Sequence, residues 1–481
     1  MTSQPVTSAA PAPLPAPARA RLERGLEAVA ALGVLAHALF LPISVAGMQI
    51  ALAFVAGALL GLRLLGRRVW ARSPLDLPCL VLAAAAVGSL GLGALAGSPP
   101  VGWHEATLWR SFLAAPLLLS GIQAWAKPRA VQHPSLAPRS GERVGERGPS
   151  QDVQHNSLAP RSGERVGERG RSLALAALCV WAAASLLPSA IAWAQYFTGF
   201  DPLHALHLRS HPVRAVVPVF PGRFAAVGFF RWYQRLAHDL LPPLCLAGAV
   251  ALHGEVRPRL RALLGVAALA AAAAVVLTLS RAAWVTLALA GAIVAVGGSR
   301  RLRRIALPLV AVGCLAMGLN AGVRTRLAHL ASPDATGDRQ TIWRVCRAVV
   351  ADHPLTGVGW GNFPRRSLPY WERLAPAYPL RAWCHDSFFS AWAEGGPLLF
   401  GALLAFWALL FLAFLRWRRR SDGLGRAAAI GALAALVGMF ANSLAHDILY
   451  SSEAMFALGF ALAVGAALAR LPGRSEFPDR V

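Results

Sequence analysis

The sequence predicts an all-α integral membrane protein with about twelve transmembrane helices. Composition supports this prediction, because 56% of the 481 residues are hydrophobic, only 15% are charged, and the mean hydropathy is +0.50. A soluble domain carries roughly 25% charged residues. The chain also contains a series of apolar stretches long enough to span a bilayer. They lie at 26–46, 48–65, 75–96, 108–125, 173–195, 236–253, 260–279, 282–298, 305–320, 388–415, 427–445 and 451–470.

The distribution of charge predicts the orientation of these spans. The formal net charge is +24, and much of it comes from arginines beside the spans, where the positive-inside rule places basic residues in the cytoplasm. With the N-terminus inside and the spans alternating, every inside segment contains arginine. No basic stripe with interleaved aromatics occurs, so the partner we expect is a lipid bilayer and not nucleic acid. The inside segments are 1–25, 66–74, 126–172, 254–259, 299–304, 416–426 and 471–481.

The chain order of these segments gives the domain organisation. The first apolar stretch is long enough to be a retained first helix, with no cleavable signal peptide before it. The segment 126–172 carries the repeat "SLAPRSGERVGERG" at 135–148 and 157–170, whose composition predicts disorder. We expect a disordered cytoplasmic tail (1–25), transmembrane helices 1–4 (26–125), a disordered insert (126–172), helices 5–9 (173–320) with an outer loop (196–235), a large periplasmic loop (321–387), helices 10–12 (388–470) and a cytoplasmic tail (471–481).

The large outer segment 321–387 should be partly helical and should carry chemistry. From Arg339 to Asp352 the apolar residues recur with helical spacing, and "HPLTGVGWGNF" follows as a glycine-rich turn. Cys346 and Cys384 both lie in this segment, where an oxidising periplasm permits a disulfide. The sequence leaves open whether the two cysteines approach each other.

His385 is the strongest candidate for acid–base chemistry. An imidazole has a reference pKa near ~6.5 and can act as a base at ambient pH. The pair His446 and Asp447 repeats the His-Asp arrangement of His385 and Asp386 on the same predicted side. No CxxC pair, HExxH pattern, P-loop, dinucleotide-binding glycine motif or GxSxG is present, so we expect no metal site and no cofactor.

Arginines on the predicted outer face indicate an anionic substrate. Arg281 lies between two apolar stretches, in a connection where arginine is otherwise avoided. Arg223 lies in the apolar stretch "VFPGRFAAVGFF", and Arg231 and Arg235 follow it. Arginine is suited to bidentate recognition of phosphate. Several arginines on one face of a membrane protein favour a lipid-linked phosphate or pyrophosphate.

Three segments together resemble the O-antigen ligase family, which also contains O-antigen polymerases and bacterial O-oligosaccharyltransferases. They are "LTLSRAAW" (277–284), "DRQTIW…ADHPLTGVGWGNF" (338–363) and "HDSFFSAWAEGGPLLFG" (385–401). The family usually has His-Asn where this chain has His385-Asp386, so a role for Asp386 carries over only as an acceptor. The spacing before "GFF" also differs from the family pattern, which makes Arg231 the alternate to Arg223.

The resemblance implies a GT-C-like, metal-independent, inverting glycosyltransferase in the bacterial inner membrane, active on the periplasmic face. The implied donor is a glycan on undecaprenyl pyrophosphate. The acceptor is lipid A-core for a ligase, the growing glycan for a polymerase, or a protein for an oligosaccharyltransferase, and ligation is the favoured reading. The non-enzyme alternative is a transporter of lipid-linked sugars. The site residues are His385 as catalytic base, Arg281 and Arg223 on the pyrophosphate, and Arg339, Asn362, Asp386 and His446 in secondary roles.

Overall fold

The structure is a computed structural model of the protein, and its described part consists of helices and their connections. It confirms the predicted all-α membrane fold. The described residues are 15–70, 72–95, 97–98, 101–126, 162–213, 224–298, 334–378, 383–421 and 423–469, with isolated positions between 304 and 324.

Helices cover the predicted spans wherever the structure describes them. Short 3₁₀ turns at Leu108–Leu113 and Ile448–Tyr450 precede α5 and α16. The helices are α1 (Ala16–Phe40), α2 (Val45–Leu64), α3 (Asp76–Leu95), α4 (Trp103–Thr107), α5 (Ala114–Ala126), α6 (Ser162–Thr198), α7 (Pro202–Ala205), α8 (Tyr233–His253), α9 (Pro258–Leu277), α10 (Arg281–Gly297), α11 (Asp334–Asp352), α12 (Phe363–Arg366), α13 (Leu368–Leu374), α14 (Ser387–Arg420), α15 (Gly423–Ser443) and α16 (Ser452–Ala469).

Length and apolar composition mark many of these helices as membrane spans. Within the described ranges, eight helices are long and apolar enough to cross a bilayer, and α10 is a shorter apolar helix. The remaining predicted spans fall on α1 and on the 3₁₀ turn with α5. The predicted span 305–320 lies outside the continuously described residues.

Two predicted boundaries are corrected by the structure. The tail expected to be disordered over 1–25 enters α1 at Ala16, because Arg67 pairs with Glu23 at 2.8 Å and with Glu27 at 3.2 Å and so fixes the start of that helix. The insert expected to be disordered over 126–172 enters α6 at Ser162, since its Arg and Glu residues are good helix formers. The first repeat copy lies outside the described residues.

The core of the bundle is centred on α16, which is wholly buried among the other helices. Small residues allow the close approach that this position requires. A Cβ built on Gly459 of α16 would lie 2.8 Å from the Cβ of Ala114 on α5. Helices α8 and α15 are the next most buried spans, so the polar residues that they carry are held inside the bundle.

The segment 334–378, which we call the helical loop, has its own apolar cluster. Ile342, Val345 and Val349 lie on one face of α11 and are at most 3% exposed. They pack with other buried residues of the loop, including Phe363 and Trp371. The helical spacing predicted from the sequence therefore describes α11 well. The helical loop packs on the bundle where α14 begins and α3 ends, an end that we call the loop end.

Candidate active site

A disulfide joins the helical loop to the start of α14. Cys346 on α11 is bonded to Cys384, with their Cα atoms 6.0 Å apart and a sequence separation of 38. Both cysteines are fully buried. Because Cys384 directly precedes His385, the bond holds α11 beside the strongest candidate for the catalytic base.

The glycine-rich turn of the helical loop is bound to α14 through its backbone. The N–H groups of Val358 and Gly359 donate to the carbonyls of Ala393 (2.9 Å) and Glu394 (2.8 Å). The buried Glu394 carboxylate accepts one N–H from Gly361 at 2.8 Å and one from Phe363 at 3.0 Å. A carboxylate with both oxygens bonded in this way fixes the turn against the helix.

The glycines of this turn permit close packing. Gly359 has φ +88° and a Cβ built on it would lie 2.8 Å from the Cα of Gly93 on α3. Gly357 has φ +62°, and its Cβ would meet the backbone of Glu394 at 2.4 Å. Helices α3 and α14 occupy the space around the turn. The glycines therefore allow the backbone to turn and pack closely, and they do not form a site that surrounds a ligand.

His385 is held by the carboxylate of Asp447. Asp447 Oδ2 accepts the backbone N–H of His385 at 2.7 Å and lies 3.8 Å from its Nδ1. Asp447 Oδ1 accepts the N–H of Asp386 at 3.3 Å and the hydroxyl of Ser390. Burial raises the pKa of the Asp447 carboxyl, an effect that the neighbouring His385 and Ser390 partly offset. The His385 side chain is 40% exposed, so its ring is anchored and still reachable.

Asp386 explains why an ionisable pair precedes an apolar helix. Its carboxylate accepts the N–H groups of Phe388 at 2.9 Å and Phe389 at 3.0 Å, which makes it the N-cap of α14. Burial raises the pKa of Asp386, and these two N–H groups act in the opposite direction. His385 before it has φ +52°, a backbone strain of about 1–3 kcal/mol that proteins retain mostly at functional sites.

Arg339 lies near the two carboxylates that surround this histidine, and Arg281 lies near Arg339. Arg281 is the first residue of α10, where a cation opposes the helix dipole. Arg339 on α11 donates to the Ala445 carbonyl at 2.9 Å. Burial lowers the pKa of Arg339, the nearby Arg281 lowers it further, and Asp386 and Asp447 act in the opposite direction. Among the described residues, Arg281 has no hydrogen bond or ion pair.

The other predicted arginines have different positions. Arg223 lies outside the described residues. The alternate to Arg223 is Arg231, whose guanidinium carbon Cζ lies 5.8 Å from the ring centre of Trp232. Arg235 on α8 donates to Glu453 at 2.7 Å, so a buried carboxylate already neutralises its charge.

The two remaining predicted site residues differ in their relation to His385. Burial lowers the pKa of His446, and the neighbouring His238, Arg339 and His385 lower it further. It is therefore held as a neutral imidazole. Asn362 is buried in the turn bound to Glu394, and its side-chain carbonyl has no hydrogen-bond partner among the described residues. Asn362 is thus part of the glycine-rich turn. His446 is part of the environment of His385.

A buried polar cluster extends the site into the bundle. His238 and Asp239, in the first two turns of α8, are at most 4% exposed. The ring of His238 lies 5.2 Å from that of His446, and Asn442 on α15 lies beside it. Ionisable groups inside a span are costly and usually mark function. These groups all lie near the loop end, whereas a transporter would be expected to place such groups near the middle of the bilayer.

No group of three His, Cys, Asp or Glu side chains suited to a metal ion occurs within the described part of the chain. In a comparison with known protein families, residues 266–404 match the family model described as O-antigen ligase. These residues are similar to the O-antigen ligase family. This finding confirms the family assignment made from the three sequence segments. A search of curated proteins found no match.

The matched segment includes Arg281, Arg339 and His385, together with the helical loop and the first turns of α14. Asp447 follows the matched residues and reaches back to His385 from the connection between α15 and α16. The described part of the chain is thus a multi-pass membrane protein with a segment similar to the O-antigen ligase family.

Two functional candidates emerge only from the structure. Asp447 was noted in sequence as one half of a His-Asp pair, but its contact with His385 spans 62 residues, a separation that no local pattern reveals. Glu394 organises the glycine-rich turn from inside α14. Its signal in the sequence was the presence of an acidic residue within an otherwise apolar span.

Proposed function

We propose that this protein transfers a glycan from undecaprenyl pyrophosphate to a hydroxyl of lipid A-core on the periplasmic face of the inner membrane. The observation that carries this proposal is the position of Arg339, which donates to the Ala445 carbonyl two residues before the carboxylate of Asp447 that holds His385. Arg281, from a third segment, is close enough to act on the charge of Arg339. An anion site next to an accessible imidazole is what glycosyl transfer from a pyrophosphate requires.

The arginines supply the electrostatic part of the reaction. Pyrophosphate is a good leaving group once its negative charge is neutralised. The guanidiniums of Arg281 and Arg339, the second held by the Ala445 carbonyl, and the N-terminus of α10 offer that stabilisation. Arg281 has no competing ion pair among the described residues, and Arg339 is partly desolvated. The transferase that we propose is accordingly metal-independent.

His385 supplies the base. Its ring accepts the proton of the acceptor hydroxyl while the hydroxyl oxygen forms a bond to the anomeric carbon of the donor. The bond between that carbon and the pyrophosphate oxygen breaks, and its electron pair leaves with undecaprenyl pyrophosphate. Attack from the face opposite the leaving group inverts the anomeric configuration. The carboxylate of Asp447 stabilises the imidazolium that forms.

The location of the site suits two lipid-linked substrates. Both would arrive by diffusion within the bilayer, and the loop end lies where the spans terminate. The positive-inside pattern supports a periplasmic position for this end. The oxidising periplasm also favours the disulfide between Cys346 and Cys384.

A deletion strain separates the three reactions of the family. Lipopolysaccharide gels that show undecorated core, with lipid-linked polymer accumulating, support ligation. Core carrying a single repeat unit indicates a polymerase. An unchanged lipopolysaccharide pattern with altered mobility of a glycoprotein indicates protein glycosylation. Purified protein should then transfer the glycan in the presence of a metal chelator, and a strict requirement for a divalent metal would contradict the proposed mechanism.

A further inference from the structure

A column of stacked aromatic rings ends beside the catalytic histidine. Trp383 stacks on Tyr450, with ring centroids 4.3 Å apart and planes at 23°. Tyr450 stacks on Trp360 at 4.8 Å and 28°. Phe112 closes the column with an edge-to-face contact to Trp360 at 5.9 Å. These four rings come from four separate segments of the chain.

Only one member of this column keeps exposed surface. Phe112, Trp360 and Tyr450 are at most 7% exposed, whereas Trp383 is only partly buried and packs against both the bundle and the helical loop. The column therefore opens at the junction of these two parts. His385, two residues further along the chain, is also exposed at this junction, with 40% of its side chain accessible.

Two bonds anchor the column, one inside it and one next to its open end. The indole N–H of Trp360 donates to the Glu105 carbonyl at 2.8 Å. Cys384, the neighbour of Trp383, is bonded to Cys346. A flat ring that is already fixed in place loses little conformational freedom when a ligand packs on it. An aromatic surface of this kind, next to a reactive group, is typical of a binding site that orients its ligand.

We propose that Trp383 is the platform on which the acceptor sugar rests. The inference depends on the proposed glycosyl transfer and adds to it that the acceptor presents a pyranose ring. The axial C–H groups of a pyranose form an apolar patch with slightly positive hydrogens, which complements the negative face of an indole. A sugar stacked there would continue the column and would bring a ring hydroxyl to His385.

The test uses full-length protein reconstituted in liposomes, with donor and acceptor titrated separately. Trp383→Leu should raise KM for the acceptor sugar about tenfold and leave KM for the donor unchanged. Trp383→Phe keeps a flat ring and should recover most of that loss. Trp392→Phe is the matched control, because Trp392 is a partly buried tryptophan of α14 that bonds to the Pro354 carbonyl, outside the column.

A binding measurement on the wild-type protein keeps the inference testable if a variant fails to fold. Saturation-transfer NMR with the free acceptor oligosaccharide should show the strongest transfer, with upfield shifts, at the ring C–H protons of one sugar. If the wild-type protein makes no product yet this signal is present, the proposed function fails and the sugar platform stands. Normal turnover with an unchanged acceptor KM in Trp383→Leu would overturn the platform. Equal losses in the Leu and Phe variants, or an increase in donor KM alone, would also overturn it.

Discussion

Removal of the disulfide between Cys346 and Cys384 should open the helical loop. The sequence separation of 38 between the two cysteines corresponds to a loss of about 4 kcal/mol of stabilisation in the chain-entropy description of a cross-link. The helical loop has only a small apolar cluster of its own, so a loss of this size is large relative to its local stability. We expect the double variant Cys346→Ala/Cys384→Ala to keep its bundle folded and to open the loop much more often.

Limited proteolysis by chymotrypsin measures this opening. Trp371 is fully buried in the helical loop, so cleavage after it requires the loop to open. When opening is fast relative to cleavage, the rate follows the open population and should rise by roughly three orders of magnitude. Cys245→Ala, which removes a buried free cysteine of α8, is the control and should cleave at the wild-type rate.

Two results would refute this reasoning. Equal cleavage rates in the double variant and the Cys245→Ala control would show that the bond adds nothing to loop stability. Thiol labelling of Cys346 and Cys384 in protein isolated without reductant would show that the bond does not form in the cell. The second result would also contradict the periplasmic orientation, because the cytoplasm keeps thiols reduced.

Three further substitutions test individual groups of the site. Arg281→Ala should weaken donor binding by roughly 10- to 100-fold, because charge-assisted hydrogen bonds to the donor are lost. Arg281→Lys keeps the charge and should weaken donor binding less. Equal donor Kd values for the wild type and Arg281→Ala would contradict this prediction. Glu394→Gln should cost about 1–3 kcal/mol, because one backbone N–H of the turn then faces an amide donor in place of an acceptor. Hydrogen exchange at the backbone N–H groups of Gly361 and Phe363 should accelerate in this variant. Exchange as slow as in the wild type would contradict the role given to Glu394. Burial raises the pKa of Asp447, so the folded protein binds this proton more tightly than the unfolded chain. Its contribution to stability therefore falls as pH rises from the unfolded pKa to the raised folded one. Asp447→Asn should flatten that decline in thermal unfolding followed against pH, and an unchanged profile would show that Asp447 does not titrate in this window.

The fold was largely predictable because a bilayer imposes a simple rule on sequence. A span must be long and apolar, and both properties can be read locally. The helical spacing of Ile342, Val345 and Val349 was equally local, and α11 buries these residues. The sequence predicts later starts for α1 and α6 than the structure has. Polar residues extend both helices at their N-termini, beyond the apolar run that predicts the span.

The candidate site was predictable in its components and not in its connections. Arg281, Arg339 and His385 were each noticeable as ionisable residues beside apolar segments, and the family resemblance grouped them. The bond from His385 to Asp447 and the turn wrapped on Glu394 join residues far apart in sequence. Such contacts depend on how helices pack, which composition and spacing do not encode. The role of Asp386 was also not predicted, because its position as the N-cap of α14 is defined by the backbone conformation.

The most direct test of the central claim is a single-turnover assay of His385→Asn. Asparagine tolerates the positive φ of this position, so the variant removes the base without adding backbone strain. The account predicts that glycan transfer falls by about 10²–10⁴-fold while the Kd for the pyrophosphate-linked donor stays at the wild-type value. Transfer at the wild-type rate, or loss of donor binding, would contradict the assignment of His385 as the base.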